Sequence, residues 1–329
     1  MLDYVSLIGG LILLLIAGDV LVRGSVGIAE QLNIPPIVIG LTIVAFGTSA
    51  PELVISLRAA LNDAPGIALG NVVGSNITNV LLVMGVPALI AQTDCDEKGS
   101  FRTAVFMLAI TVVFIALCQF SPLTMASGIA LLALLTLYLL DNVRASRRAR
   151  AVHRENASIA TTQENHELID GVEGVPHRPG LAILFVFVGL IGLPLGAHFT
   201  IEGATALARS WGVTETVIGL TVIALGTSLP ELATTLMAIA RKQGAVGLGN
   251  VIGSNIFNLL AIVGTTAVVV PIAVPAELLR FDVWVMLGVT VLLFLFAWLK
   301  VKIGLTIGLA LVTAYAIYIY LVFVTGHVS

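Results

Sequence analysis

Long apolar runs recur along the whole chain and constrain its fold more than any other feature. Ten runs approach or exceed the roughly 20 residues that a helix needs to cross the hydrocarbon core of a membrane. They span residues 4–22, 36–61, 66–91, 102–120, 123–141, 180–208, 213–239, 245–271, 282–299 and 303–325. The runs are continuous and lack the alternation that is typical of a membrane β-barrel. The sequence therefore predicts an all-α membrane protein with ten transmembrane helices.

The charge content of the chain supports this class. Charged residues make up 11% and hydrophobic residues 58% of the 329 residues, whereas soluble domains average about 25% charged residues. An ordinary soluble enzyme is therefore excluded. The formal net charge of -3 argues against nucleic acid as a partner, because no basic face is present. The two cysteines, Cys95 and Cys118, form neither a disulfide framework nor a zinc-ligand pattern.

The positions of the cations predict how the chain is oriented. Segments that face the cytoplasm are enriched in Lys and Arg. An external N-terminus leaves only Arg58, Arg209 and Arg280 outside. It places the other thirteen cations on the cytoplasmic side, with Arg23 at the inner end of the first helix: Arg23, Lys98, Arg102, Arg144, Arg147, Arg148, Arg150, Arg154, Arg178, Arg241, Lys242, Lys300 and Lys302. We expect a multi-pass protein of the inner (plasma) membrane with both termini outside.

A polar stretch separates two groups of five spans. Residues 143–179 include the basic sequence RASRRARAVHR followed by Glu, Asn, Thr and Pro residues. We expect this stretch to be a cytoplasmic linker between a first membrane repeat, 4–142, and a second, 180–325. Its basic start could contact anionic lipid, although a role in topology is sufficient to explain it.

The two groups of spans contain the same motifs. VIGLTIVAFGTSAPEL at 38–53 recurs as VIGLTVIALGTSLPEL at 217–232, and GNVVGSNITN at 70–79 recurs as GNVIGSNIFN at 249–258. The offset is 179 throughout, and 25 of the 48 positions in 38–85 match 217–264 without a gap. This is a duplicated unit.

An odd number of spans in each copy has a topological consequence. After five spans the chain enters the second copy from the other side of the membrane, so the two copies are predicted to be inverted. Inverted repeats with a site at the midplane are typical of secondary transporters. A duplication that served only packing would keep apolar positions, whereas here polar residues are among the matches.

Each repeat carries a proline inside an apolar run. Pro51 and Pro230 lack an N–H, so the carbonyls of Gly47 and Gly226 lose their helical donors. Freed carbonyls at membrane depth are tolerated in protein or beside a wet cavity, where they can coordinate a cation. Small residues of the second motif, Gly70, Gly74, Gly249 and Gly253, are expected to let helices pack closely.

A carboxylate follows each proline, about midway along its span. Glu52 and Glu231 are functional candidates because charge inside a membrane is costly. Thr48 and Thr227 precede them by four residues, so hydroxyl and carboxylate share a helical face. Further side-chain oxygens come from Ser49, Ser228, Ser75, Ser254, Asn79 and Asn258. Such an all-oxygen set suits hard cations such as Ca²⁺, and Na⁺ accepts similar ligands.

Four other polar residues lie within or beside the spans. Asp19 aligns with His198 by the same offset, and we expect it to make a structural polar contact more readily than to bind an ion. Glu202 aligns with Arg23, and the two residues could either pair or face water separately.

At these motifs the sequence closely resembles the cation/calcium exchanger superfamily, specifically bacterial sodium/calcium exchangers. GTSAPE and GNVVGSNITN, with GTSLPE and GNVIGSNIFN, resemble the two inverted alpha-repeats of that family. The resemblance implies ten helices, ion sites between the second, third, seventh and eighth, and Glu52 and Glu231 as principal calcium ligands. It implies that further calcium or sodium ligands come from Thr48, Ser49, Thr227, Ser228 and the carbonyls of Ala45 and Ala224, with Ser75, Asn79, Ser254 and Asn258 lining the sites.

The sequence departs from some relatives at two positions. Some family members have Asp where this chain has Asn79 or Asn258. The predicted site then carries two formal negative charges, which balance one Ca²⁺ or two Na⁺. A third Na⁺ would bind without a carboxylate of its own.

These observations predict a secondary antiporter, not an enzyme, that exchanges Ca²⁺ for Na⁺ and extrudes calcium by alternating access. No cofactor is expected, because the two ions bind as transported substrates, and no partner is expected beyond them and the bilayer. A Ca²⁺/H⁺ antiporter in which the carboxylates carry protons stays open, as does a role for K⁺. A passive channel is disfavoured by the inverted repeats. An intramembrane enzyme is disfavoured because no base accompanies the serines of the GTS motifs.

Overall fold

The computed structural model describes residues 2–97, 99–159, 174–176, 178–212, 222 and 224–325, and most of them are helical. The first half of the chain forms six helices and a two-residue strand. These elements are α1 (Leu2–Leu32), α2 (Pro36–Thr48), α3 (Ala50–Leu61), α4 (Pro65–Ala88), β1 (Thr93–Asp94), α5 (Ser100–Cys118) and α6 (Met125–Ile159).

The second half contains a similar series. Its elements are α7 (Pro179–Ser210), α8 (Ala224–Thr227), α9 (Leu229–Ala240), α10 (Gly244–Val269), α11 (Ala276–Arg280), α12 (Asp282–Trp298), β2 (Lys302–Ile303) and α13 (Leu305–Thr325). β1 and β2 pair in antiparallel fashion, with Thr93 opposite Ile303. The pairing joins the loop after α4 to the loop after α12.

Seven helices in the described residues are long and apolar enough to cross a membrane. The number becomes eight if α2 and α3, which meet at a bend of 43°, form one broken span. α9 and α12 are apolar but shorter. The prediction of a mostly helical membrane protein is confirmed, while the number of ten spans stays a prediction.

Two helices extend beyond the predicted apolar runs. The first run ends at 22, but α1 continues to Leu32, so the prediction that Arg23 lies at the end of the first helix is wrong. The fifth run ends at 141, but α6 continues to Ile159, so the basic start of the predicted linker is helical. Apolar content locates the membrane core, whereas a helix can continue into water through good helix formers such as Ala and Arg.

Parts of two predicted segments fall outside the described residues. The predicted linker 143–179 is described as far as Ile159 and again at 174–176 and 178–179. The predicted span 213–239 is described at residue 222 and from Ala224 onward.

α4 and α10 form the centre of the molecule. In their most apolar stretches 72% and 83% of the residues are buried, against 22% for α6 and 17% for α13. These two central helices carry the GNVVGSNITN and GNVIGSNIFN motifs. The polar residues of the motifs are therefore inside the protein and not at the lipid surface.

Close approach of α2 to α10 depends on glycine. A Cβ atom on Gly40 would lie 2.5 Å from the Val246 carbonyl oxygen, and one on Gly249 would lie 2.6 Å from the backbone of α2. Gly253 faces α2 in the same way, with 2.6 Å between its hypothetical Cβ and an α2 side chain. The expected packing role is confirmed for these glycines of α10. It is wrong for Gly74, which has open space around it.

Candidate cation-binding site

A helix break occurs at the same position of both repeats. Ser49 separates α2 from α3 with φ/ψ of -83° and 4°, and Ser228 separates α8 from α9 with -89° and 5°. The prolines predicted to interrupt hydrogen bonding, Pro51 and Pro230, follow two residues later. Each break therefore starts a new helix whose first turn lies inside the bundle.

The two predicted carboxylates lie in these first turns. Glu52 is 1% exposed and Glu231 is fully buried. Ser49 Oγ of the first repeat donates a hydrogen bond of 3.2 Å to Glu231 Oε1 of the second. The Oε2 atoms of both carboxylates, Glu52 and Glu231, accept no hydrogen bond from the described residues. The two repeats thus share one site, and each contributes an unsatisfied carboxylate oxygen.

The protein supplies no positive charge to balance these carboxylates within the described residues. Asp19, Asp96, Asp141 and Glu202 do form ion pairs there. A buried charge is costly unless it is paired or bound to a metal ion. Two buried carboxylates without a charged partner among the described residues are chemically suited to hold a cation.

Thr48 joins the first repeat to helix α10 of the second. Its Oγ1 lies 3.2 Å from Asn250 Oδ1 and 3.4 Å from Ser254 Oγ, and all three residues are buried. The predicted ligands Thr48 and Ser254, which are 206 residues apart in sequence, are thus brought together. Their oxygens belong to the same polar cluster as the bond between Ser49 and Glu231.

Two asparagines support the carboxylate-bearing turns. Asn250 Nδ2 donates to the Glu231 carbonyl oxygen at 3.3 Å and to Thr235 Oγ1 at 3.0 Å. In the first repeat Asn71 Nδ2 donates to the Glu52 carbonyl oxygen at 3.3 Å and to Ser56 Oγ at 2.9 Å. Neither asparagine was predicted from the sequence as a site residue. Their repetition at the offset of 179 was the available signal.

A second set of amides joins α4 to α10 at the centre of the molecule. Asn79 Nδ2 donates to Asn255 Oδ1 at 3.1 Å, and Asn258 Nδ2 donates to Asn76 Oδ1 at 3.0 Å. The donors of the two bonds are 179 residues apart, and so are the acceptors. The contact therefore has the symmetry of the repeats. The Oδ1 atoms of Asn79 and Asn258 accept no hydrogen bond from the described residues. Asn76 and Asn255 were not predicted as site residues.

The central helices change geometry at these amides. A π-helical turn begins at Asn79 in α4 and another begins at Asn258 in α10. A third covers Gly40–Val44 in α2, directly before Ala45. Short π-helical turns occur frequently at functional sites. The first two of these turns begin at predicted site residues, and the third ends shortly before the helix break at Ser49.

The other predicted ligands are buried, but their settings differ. Ser75, Thr227 and Ser228 are at most 4% exposed, and Ser228 Oγ has no hydrogen-bond partner among the described residues. The Ala45 carbonyl already accepts bonds from the Ser49 amide at 3.1 Å and from Thr48 Oγ1 at 3.3 Å. At the second break the Ser228 amide donates to the Leu225 carbonyl at 3.1 Å. The serine hydroxyls are thus better placed to meet an ion than the Ala45 carbonyl.

Asp19 lies outside this cluster. It accepts a hydrogen bond of 2.8 Å from Arg23 Nε and a further bond from Arg241 Nε, which agrees with the expected structural role. A pair between Arg23 and Glu202 is not formed. Glu202 lies 3.9 Å from His198 on an exposed surface.

Comparison with known proteins assigns the chain to a family. The profile of the family described as "Sodium/calcium exchanger protein" matches residues 2–142 and 181–324. The chain belongs to the sodium/calcium exchanger family. It is therefore a membrane-embedded cation/Ca²⁺ antiporter of a transporter family.

Individual relatives agree with this assignment. "Inner membrane protein YrbG" of Escherichia coli (strain K12) is 35% identical over 294 residues, which are 89% of this chain and 87% of that protein. "Sodium/calcium exchanger MaX1" of Methanosarcina acetivorans is 30% identical over 317 residues, which are 89% and 91% of the two chains. A solved structure of the sodium-calcium exchanger NCX_Mj superimposes with a TM-score of 0.80 at 31% identity, covering 97% of this chain and 98% of the other.

Proposed function

We propose that this exchanger couples Na⁺ entry to Ca²⁺ extrusion across the inner (plasma) membrane by alternating access. The observation that carries the proposal is a set of four buried oxygens that accept no hydrogen bond within the described residues. They occur in equivalent pairs from the two repeats: Glu52 Oε2 with Glu231 Oε2, and Asn79 Oδ1 with Asn258 Oδ1. In each pair, one oxygen comes from the first repeat and one from the second.

The chemistry of the donor set favours these two ions. Ca²⁺ takes six to eight oxygen ligands in flexible geometry, and carboxylate, amide and hydroxyl oxygens are all acceptable. The proposed ligands are Glu52, Glu231, Thr48, Thr227, Ser49, Ser228, Ser75, Ser254, Asn79, Asn258 and the carbonyls of Ala45 and Ala224. Two carboxylates balance one Ca²⁺ or two Na⁺. The same oxygens can therefore serve either ion in turn, as an exchanger requires.

The proposal includes the architecture and its orientation. We propose ten spans arranged as two inverted repeats of five, with both termini outside and the linker 143–179 in the cytoplasm. Asn71 and Asn250 each make the same two hydrogen bonds within their own repeat, which supports a two-fold relation between the repeats. The excess of cations in the segments assigned to the cytoplasm supports the orientation.

Ion flux in proteoliposomes tests the coupling. The purified chain is reconstituted, and ⁴⁵Ca²⁺ uptake is measured under outward gradients of Na⁺, K⁺ or H⁺ applied separately. We expect uptake with the Na⁺ gradient alone. Uptake driven by H⁺ and not by Na⁺ would reject the proposal in favour of a Ca²⁺/H⁺ antiporter. Equal, unsaturable uptake without any gradient would instead indicate a passive channel.

A further inference from the structure

The two repeats make unequal contacts with helices α1 and α7. The equivalent helices α3 and α9 each have 12 residues, but α9 packs along α1 while no comparable packing joins α3 to α7. Val54 on α3 is 50% exposed, whereas its equivalent on α9, Ala233, is 5% exposed. A Cβ atom on Gly18 of α1 would lie only 3.1 Å from the Ala233 carbonyl. The structure is therefore one of two arrangements that the repeats permit.

α1 and α7 form a closely packed pair. A Cβ atom on Gly10 would lie 2.5 Å from the Thr200 amide nitrogen, and one on Gly203 would lie 2.4 Å from the Leu7 amide nitrogen. These contacts are spread along both helices and leave no room for side chains between the backbones. The pair is expected to move as one unit against the rest of the molecule.

An ion pair ties α1 to the end of α9 in this arrangement. Asp19 on α1 bonds to Arg23 and to Arg241, which directly follows α9. The Asp19 side chain is only 10% exposed and that of Arg241 26% exposed. The pair of Lys300 with Asp96 is more than half exposed on both sides. Shielding from water makes the Asp19–Arg241 contact the stronger of the two.

The offset between the repeats gives this ion pair no counterpart. The positions equivalent to Asp19 and Arg241 hold His198 and Asn62. The His198 side chain is 70% exposed, and its ion-pair partner is Glu202, one turn along the same helix. The bond between Asp19 and Arg241 therefore stabilises only one of the two arrangements.

We propose that the Asp19–Arg241 ion pair is a conformational latch. It keeps α1 packed on α9, and it opens when α1 and α7 shift to the equivalent contact with the first repeat. In that second arrangement Ala197, the equivalent of Gly18, packs on Val54. The inference rests on the inverted repeats and alternating access proposed above. It identifies the residues that favour one of the two conformations of the exchanger.

Disulfide trapping tests the latch. Val54→Cys and Ala197→Cys are introduced together into the full chain, which is reconstituted in liposomes and oxidised with copper phenanthroline. Mass spectrometry of the cross-linked peptide gives the rate of disulfide formation. Adding Asp19→Asn should raise this rate about tenfold, because the second arrangement becomes more populated once a charge-assisted contact is lost. Chains with only one introduced cysteine control for Cys95 and Cys118.

Matched variants make the outcome decisive. Arg241→Gln should reproduce the increase independently of Asp19→Asn, and Asp19→Glu should keep the parent rate. Asp96→Asn, which removes the exposed pair with Lys300, should change nothing. Equal rates in the parent, Asp19→Asn and Arg241→Gln would overturn the latch, and no disulfide in any variant would overturn the second arrangement. The cross-link does not depend on the coupled ion, so a failure of Na⁺-driven flux beside the expected rates rejects only the Na⁺ coupling.

Discussion

Replacing Glu231 with Gln tests the contribution of its charge to ion binding while leaving the shape of the side chain nearly unchanged. Gln has nearly the same size, and its Oε1 can still accept the hydrogen bond of 3.2 Å from Ser49 Oγ. The change removes one of the two unpaired buried carboxylates. Loss of one partner from a buried charge pair costs about 3–5 kcal/mol, and each 1.4 kcal/mol is about tenfold in affinity. We therefore expect Ca²⁺ affinity to fall roughly 10²- to 10⁴-fold.

Thermal unfolding in detergent measures this loss without transport. Ca²⁺ at 100 times its Kd should stabilise the parent by about 2.7 kcal/mol. At the same Ca²⁺ concentration Glu231→Gln should gain about 0.4 kcal/mol or less, because its Kd has risen to that concentration or above. Ca²⁺ flux in proteoliposomes should fall in parallel. Glu202→Gln is the matched control, since its side chain is 64% exposed and lies outside the site.

Two results would contradict this reasoning. A Glu231→Gln chain whose unfolding temperature rises with Ca²⁺ as much as that of the parent removes Glu231 from the site. A chain that unfolds earlier than the parent even without Ca²⁺ shows that the carboxylate has a structural role, because removing an unpaired buried charge should not destabilise the free protein. The same pair of measurements on Glu52→Gln tests the first repeat.

Two further predictions concern packing around the site. Asn71→Ala removes two hydrogen bonds of 3.3 and 2.9 Å and should lower the free energy of unfolding by about 1–3 kcal/mol, seen as earlier thermal unfolding than in the exposed control Asn62→Ala. Gly40→Ala would place a Cβ atom 2.5 Å from a carbonyl oxygen of α10 and should abolish the monodisperse peak in size-exclusion chromatography. Gly288→Ala has open space and should elute like the parent, and equal behaviour of both glycine variants would refute the close contact.

Repetition at a fixed offset made much of the candidate site predictable. Glu52 and Glu231 stand at equivalent positions beside a proline, and the structure buries both in the first turn after a helix break. The same repetition could have identified Asn71 and Asn250, which lie within the quoted motifs. Their function as donors to a helix start 19 residues earlier depends on packing, so inspection of the motif alone did not find it.

Helix ends and ion-pair partners were less predictable. Hydropathy shows which residues suit the membrane core, but α1 and α6 continue past those residues. The partners of Asp19 are four and 222 residues away, and the more distant one is reached only because α1 packs on α9. Sequence spacing contains no information about that contact.

The sequence by itself determined the membrane class, the duplication and the types of ligand oxygen, because hydrophobicity and motif identity are properties of local residues. Only the tertiary structure decided that Ser49 of one repeat meets Glu231 of the other, and that Asn79 meets Asn255. It also decided that α1 packs against α9 of the second repeat and not against α3 of the first. Such contacts join residues more than 170 positions apart, and they are set by how helices pack against one another.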